Sequence, residues 1–438
     1  MKYRYRALGF LFFLSVITYV DRVCINLLGK DMQKELGITP ERWGWIIGAF
    51  ALSYAVFEIP TGAMADRSGP RVTATRIVVW WSIFTSLTGL VQSFWQLIAC
   101  RFLFGAGEAG AYPTSSAAIS RWFPLKERAR ATGIVWMGSR VGGAISPFVV
   151  LTLAETLSWR GTFGVFAVFG VVWVSIWYWW FRDTPQQMPG VSAAELAEIG
   201  PPPEPQSHGL PWKIVLRDGN FWTLLMMYHT YCWGSFFYLG WLTDYLREGR
   251  GYENSDLKAI AWLPFACGAC GNLFGGWLSD RLTGTIGLKW ARCSIGAGGL
   301  FLAGLLMMAT HFAPGKLLPL VLLALGYGCM DAMLPVAWAV CLDIGRKFGG
   351  SVSGTMNMAG QLGSFMSSVA FGYMVKGLMG AGWSKPDAYN FPLLPFSIML
   401  LISAALFLRV DPNRQLIPDS PAGHLAQKPE GPASRKAA

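Results

Sequence analysis

Apolar residues come in long blocks along this chain, and polar residues collect in the short gaps between them. A helix that crosses a membrane needs roughly 20 mostly apolar residues. Twelve blocks are of about that length: 7–29, 43–65, 73–93, 95–120, 130–154, 160–181, 217–243, 256–279, 290–311, 317–342, 350–376 and 390–409. Unbroken runs of this length exclude the short alternating strands of a membrane barrel. The pattern predicts an all-α integral membrane protein with twelve transmembrane helices in two six-helix halves, residues 1–181 and 217–409. Segment 182–216 is the longest interior break, carries the run Pro201-Pro202-Pro203-Glu204-Pro205, and is expected to be a cytoplasmic linker. Residues 410–438 are polar and proline-rich and are expected to form a disordered cytoplasmic tail.

Composition agrees with the pattern. The 438 residues are 53% hydrophobic and only 14% charged, against about 25% charge in a soluble domain. That is too little charge to coat soluble domains. The net charge of +11 would suggest nucleic acid on a soluble protein. Here its placement gives a different meaning. With the N-terminus inside, 23 of the 36 Lys and Arg residues fall in cytoplasmic segments, 10 fall outside and 3 lie within spans. This bias predicts both termini in the cytoplasm of a cell (inner) membrane, a lipid bilayer as the macroscopic partner and no nucleic acid. The basic start followed by an apolar run resembles a signal peptide, but no small-residue cleavage site follows, so it is expected to stay as the first span. The eight Cys lie mostly in apolar stretches, and Cys267-Gly268-Ala269-Cys270 sits beside Pro264 and Gly271. It reads as small residues at a helix contact rather than a redox or zinc motif, and no metal or cofactor is expected.

A repeat links the halves. Gly62, Asp66, Arg67, Gly69 and Arg71 follow the second span; Gly276, Asp280 and Arg281 follow the eighth. Both copies contain G-x-x-x-D-R at an offset of 214 residues. Gly permits close helix approach, and an Asp at a helix end pairs with Arg or caps a neighbouring helix, so these residues are gating candidates. The chain here resembles the major facilitator superfamily, whose loop signature residues 62–71 match; Arg101-Phe102-Leu103-Phe104-Gly105 resembles its R-x-x-x-G pattern in span four.

Charges inside the spans point to function, since one at the bilayer centre costs on the order of 2.5–3.5 kcal/mol. They are Asp21 and Arg22 in span one, Glu58 in span two, Arg101 and Glu108 in span four, Arg140 in span five and Asp331 in span ten. Depth counting makes an Asp21–Arg101 pair geometrically possible. Residues 101, 105 and 108 share a helix face, as do Tyr19 with Arg22 and Tyr54 with Glu58. Burial favours the protonated form of a carboxyl and a nearby Arg opposes it, so an anion arriving at the Arg changes the balance. This makes Glu108 and Asp21 candidates for proton coupling. Arg22, Arg101, Tyr19, Tyr54, Ser139 and Arg140 are candidates for binding an anion. The C-terminal half offers hydrogen-bonding groups instead: Tyr231, Tyr238, Trp241, Trp338, Asn357 and Gln361.

Tyr19-x-Asp21-Arg22, Arg101-x6-Glu108 and Tyr238-Leu239-Gly240-Trp241-Leu242 resemble one branch of that superfamily, the anion:cation symporter family. The resemblance implies proton-coupled uptake of an organic anion, often a sugar acid (hexonate, hexuronate or aldarate), by alternating access, with a monomer expected. It maps the family's charged span-one and span-four positions onto Asp21, Arg22, Arg101 and Glu108, and its polar span-eleven position onto Asn357. Glu58, Arg140 and Asp331 depart from the pattern. A second Arg in the site suits a dicarboxylate such as an aldarate. Two other readings stand beside this one. A proton-driven efflux antiporter usually carries G-x-x-x-G-P-x-x-G-G in span five; here Gly138, Gly142 and Gly143 are present but Pro147 comes late. A membrane enzyme or receptor needs a nucleophile–base pair or metal cluster, and the four His at 208, 229, 311 and 423 are scattered.

Overall fold

The computed structural model describes residues 2–200, 211–345 and 348–416, without the side chains at 59, 62, 63, 65–67, 125, 126, 128–130, 349 and 350. Within these residues the fold is all-α, with no strand and twelve principal helices. Helix α1 is Tyr3–Leu27. Pro40–Thr88 is two helices, α2 (40–68) and α3 (70–88), separated at Gly69, where φ is 77°. Helix α4 joins Phe94–Glu108 to Ala111–Trp122. Leu125–Trp180 breaks at Ser158 (φ 57°) into α5 (125–157) and α6 (159–180). The second half holds α7 (Gly219–Gly240), α8 (Asn254–Ile260 and Leu263–Ile286), α9 (Leu288–Phe312), α10 (Leu317–Gly345), α11 (Gly349–Gly380) and α12 (Lys385–Asn390 and Leu393–Phe407).

Each predicted block falls on one of these helices, and most helices outrun their block. Hydrophobicity marks only the part inside the hydrocarbon, whereas backbone hydrogen bonds carry the helix on into the interface. On length and apolarity alone, six helical stretches of the described residues qualify as spans. Helix α4 is interrupted at 109–110, and α7 is rich in Tyr, Trp and His; packing places them.

The loop motifs are tied down within their own halves. Gly69 adopts a positive φ, and a side chain there would meet Asp183 Oδ1 at 2.6 Å. That oxygen accepts from the Arg71 backbone N–H at 2.8 Å, capping the start of α3, while Arg71 Nε donates to the Tyr178 carbonyl at 3.0 Å. In the second copy, Asp280 pairs with Arg292 at 2.9 Å, Arg281 lies over Trp277 at 5.4 Å, and Gly276 faces Pro335. Gly62, Asp66 and Arg67 lie on α2, and their side-chain surroundings are outside what is described.

The linker region contains a helix, Ala193–Ile199. Its Glu195 accepts from the free N–H groups of Tyr3 and Arg4 at 3.1 and 3.0 Å, capping α1. Lys2 and Arg4 surround Glu198 and hold its carboxyl below the usual range. Residues 410–416, expected as the start of the tail, are packed instead: Val410 and Leu416 are buried, and Leu416 donates its N–H to the Ile344 carbonyl at 3.0 Å. Two apolar side chains give this segment something to bury, which polarity averaged over the tail concealed. Residues 417–438 lie outside the described residues.

The halves meet chiefly along α2 with α11 and α5 with α8. A side chain at Gly44 would sit 2.5 Å from the Ser368 carbonyl, so α2 and α11 pack backbone to backbone near the end opposite the termini. Three ion pairs that join the halves lie at that end: Lys30–Glu248 at 3.4 Å, Lys376–Glu41 at 2.9 Å and Lys258–Glu155 at 2.6 Å. Arg247 adds a hydrogen bond to the Leu27 carbonyl at 2.7 Å.

The C-x-x-C segment is a helix contact. A side chain at Gly271 would collide with the Gly328 carbonyl of α10, and Gly328 faces Cys267 in turn. The eight cysteines are free thiols. Gly271→Val is therefore expected to lower the thermal unfolding midpoint of the detergent-solubilised protein by several degrees, since forced overpacking costs about 1–3 kcal/mol or more. An unchanged midpoint would contradict this packing of α8 on α10.

Candidate functional site

Helix α1 leads into the site. Tyr19 and Arg22 are three apart and share a helix face. Arg22 Nε lies 2.6 Å from Glu108 Oε1 on α4. The Glu108 side chain is fully buried and that of Arg22 is nine-tenths buried. Four aromatic rings surround the guanidinium: Tyr54 at 4.9 Å, Phe50 at 5.1 Å, Tyr19 at 5.2 Å and Tyr112 at 6.0 Å. Ring faces stabilise a cation where water is excluded. Arg22 Nη2 is buried and has no hydrogen-bond partner.

Arg101 lies between Phe50 and Phe104 at 5.0 and 4.8 Å. The Asp21–Arg101 pair that depth counting suggested does not form. Both carboxylate oxygens of Asp21 are buried without a hydrogen-bond partner, and Arg101 is only in electrostatic range. Depth along the bilayer was matched, but rotation about the helix was not. Neighbouring residues on a helix point about 100° apart, so Arg22, not Asp21, reaches α4.

The three residues that depart from the family pattern are joined to partners in the opposite half. Asn357 Nδ2 of α11 donates to Glu58 Oε1 of α2 at 2.7 Å. Arg140 of α5 faces Asp331 of α10, with Nη2 donating to Oδ1 at 2.9 Å and Nε 2.7 Å from Oδ2. Both side chains are at least 95% buried. Arg140 is thus not a bare cation in this state. Two other candidates are also engaged elsewhere. Ser139 donates to the Trp136 carbonyl at 2.6 Å, the usual resort of a hydroxyl inside an apolar helix bundle. Tyr238 donates to the Leu323 carbonyl at 2.9 Å and packs on Tyr327. Trp241 stacks on Phe371. Gln361 keeps a buried Oε1 without a partner.

Sequence reasoning missed Phe50, Tyr112 and Asn26. Phe50 stands four residues before Tyr54, and Tyr112 four after Glu108. Helical spacing from the named residues was the available signal. Tyr112 stacks on Trp136 at 4.3 Å and lies 3.2 Å from Ser15 Oγ. Asn26 donates to the Leu239 carbonyl across the halves.

Arg22, Arg101, Asn26, Phe50, Phe236 and Leu239 are among the residues lining one cavity of about 20 Å3. That is room for about one water molecule. An organic anion therefore enters only when helices move apart. Among the described residues no three His, Cys, Asp or Glu are grouped to hold a metal ion.

Comparison with known proteins places this geometry. Residues 11–368 match the family described as Major Facilitator Superfamily. The chain is 32% identical to a probable sulfoacetate transporter of Cupriavidus necator, over 97% of this chain and 98% of that protein. It is 29% identical to the D-galactonate transporter of Escherichia coli, covering 85% and 90% of the two chains. It is 27% identical to the probable galactarate/D-glucarate transporter of Escherichia coli K12, covering 92% of each. Among solved structures it resembles a bacterial homolog of the human lysosomal transporter Spinster, inward-facing and unoccupied. The TM-score is 0.77 at 20% identity, over 93% of this chain and 97% of that one, a likeness that carries the fold alone.

Proposed function

Because this chain belongs to the major facilitator superfamily and is a membrane transporter rather than an enzyme, we propose that it imports a small organic anion together with protons. The substrate class is that of its relatives, a sugar acid or a short carboxylate or sulfonate. The observation that carries this reading is the buried Arg22–Glu108 pair inside a ring of aromatic faces. Among the described residues, Arg22 is held by one carboxylate only. An anion competes with that carboxylate for the guanidinium, and protonation of Glu108 ends the competition. Proton and anion therefore favour each other's binding, which is what symport requires.

In this mechanism Arg22 and Arg101 receive the acidic group, and Tyr19 and Tyr54 shape the pocket. Asn357 and Gln361 offer hydrogen bonds from the second half. Asp21, buried and unbonded, is the second proton carrier. The halves rock about this site by alternating access. The two loop motifs act as gates. Both termini lie in the cytoplasm of a bacterial inner membrane, which makes the end held by Lys30–Glu248, Lys376–Glu41 and Lys258–Glu155 the outer one. The protein works as a monomer.

Purified protein in liposomes containing a pH-sensitive dye tests the reading. Galactonate, glucuronate, glucarate and sulfoacetate are added singly. Acidification of the lumen specific to one anion is the expected result. No acidification in vesicles shown to be sealed, with proton movement appearing only when anions are loaded inside, would replace import with efflux.

A further inference from the structure

Arg22 on α1 and Arg140 on α5 both lie against the Tyr19 ring. Their guanidinium carbons lie 5.2 and 5.9 Å from the Tyr19 centroid, so they stand at most 11.1 Å apart, the sum of those distances. Both helices belong to the N-terminal half. Rocking one half against the other leaves their spacing unchanged.

Their counter-charges come from different places. Glu108, which faces Arg22, sits on α4 in the same half. Asp331, which faces Arg140, sits on α10 in the other half. When the halves separate around α5 and α10, Asp331 is carried away and Arg140 is left without a partner. A buried cation stripped of its partner carboxylate is costly. A second acidic group on the substrate removes that cost by taking the place of Asp331.

We propose that the site takes a dianion, one acidic group on Arg22 and the other on Arg140, with Asp331 standing in for the second acid when the site is empty. This rests on the anion-importer reading above and narrows it. The spacing selects length. An acid bonded to a guanidinium has its central atom about 4 Å from the guanidinium carbon. Along the line between the two cations that leaves at most about 3 Å. Acids separated by one or two carbons suit this gap, and an extended six-carbon diacid must fold to bridge it. Glu108 is released by protonation and Asp331 by movement, so only the first exchange requires a proton.

Matched anions test the assignment in the full-length protein in detergent, by calorimetric binding, and in liposomes, by acidification. The pairs differ by one acidic group: sulfoacetate against ethanesulfonate, malonate against acetate, succinate against butyrate. The wild type is expected to bind each dianion at least tenfold more tightly than its monoanion, and glucarate less tightly than malonate. The double variant Arg140→Gln/Asp331→Asn removes both charges and so leaves no charge orphaned. It is expected to lose the dianion preference while still binding monoanions, and Arg140→Lys is expected to restore part of it in an Asp331 background. A purely structural lock between the halves would instead change mono- and dianions alike, and that outcome overturns the proposal. So does equal wild-type affinity for both members of every pair, or no binding by any of them. Dianion-selective binding without acidification leaves the dianion assignment standing and overturns proton coupling instead.

Discussion

Glu108→Gln is expected to abolish uphill accumulation while sparing exchange of substrate down its own gradient. The amide keeps the size of the side chain and can still accept a hydrogen bond from Arg22, now 2.6 Å from the carboxylate. It cannot gain or lose a proton. Anion binding then no longer depends on a proton reaching the site, and the coupling free energy is lost. Steady-state accumulation under an imposed pH gradient is therefore expected to fall to simple equilibration of the anion across the membrane. Counterflow, in which external labelled anion exchanges for internal unlabelled anion, is expected to persist within a few-fold of wild type, and its pH dependence is expected to flatten. Accumulation that survives in the variant would move the coupling role to Asp21, a buried carboxyl of this half with neither oxygen hydrogen-bonded.

Arg22→Ala is expected to give the opposite pattern, in which both exchange and accumulation disappear. The guanidinium is the one cation at the centre of the Tyr19, Phe50, Tyr54 and Tyr112 rings. A charge-assisted hydrogen bond to an anion is worth about 1.5–3 kcal/mol, so affinity is expected to drop by about 10- to 100-fold. Stability should fall as well. Removing Arg22 leaves Glu108, fully buried, without its counter-charge, and breaking a buried pair this way costs about 3–5 kcal/mol. The double variant Arg22→Ala/Glu108→Gln separates the two effects. Its thermal unfolding midpoint in detergent should recover most of the loss, and its anion affinity should not. If affinity returned with stability, Arg22 would be holding the helices together rather than holding the substrate.

The contrast between these variants rests on residues that the sequence already marked. Charges in apolar runs are few and costly, so Arg22, Arg101 and Glu108 stood out on composition alone. Their pairing was a different matter. Counting residues along a span gives depth but not rotation, and the one-residue step from Asp21 to Arg22 decides which side chain faces α4. Tyr238 and Ser139 were credible candidates by position, yet both hydroxyls donate to main-chain carbonyls, at Leu323 and Trp136. A one-dimensional pattern does not reveal which carbonyl lies within reach of a hydroxyl.

The sequence by itself determined the class of the protein, its twelve apolar blocks, the repeat relating its halves and the set of buried charges. These follow from local quantities: the length of an apolar run, the scarcity of charge, and a motif recurring at a fixed offset. Only the tertiary structure decided that Glu58 meets Asn357 and that Arg140 meets Asp331. Those partners are 299 and 191 residues apart in the chain. Each pair crosses between two halves that fold mostly upon themselves. Its geometry is set by how one bundle rests against the other, through close approaches such as that of Gly44 to the backbone of α11. No local pattern carries that information, because the surfaces concerned come together only once both halves are built.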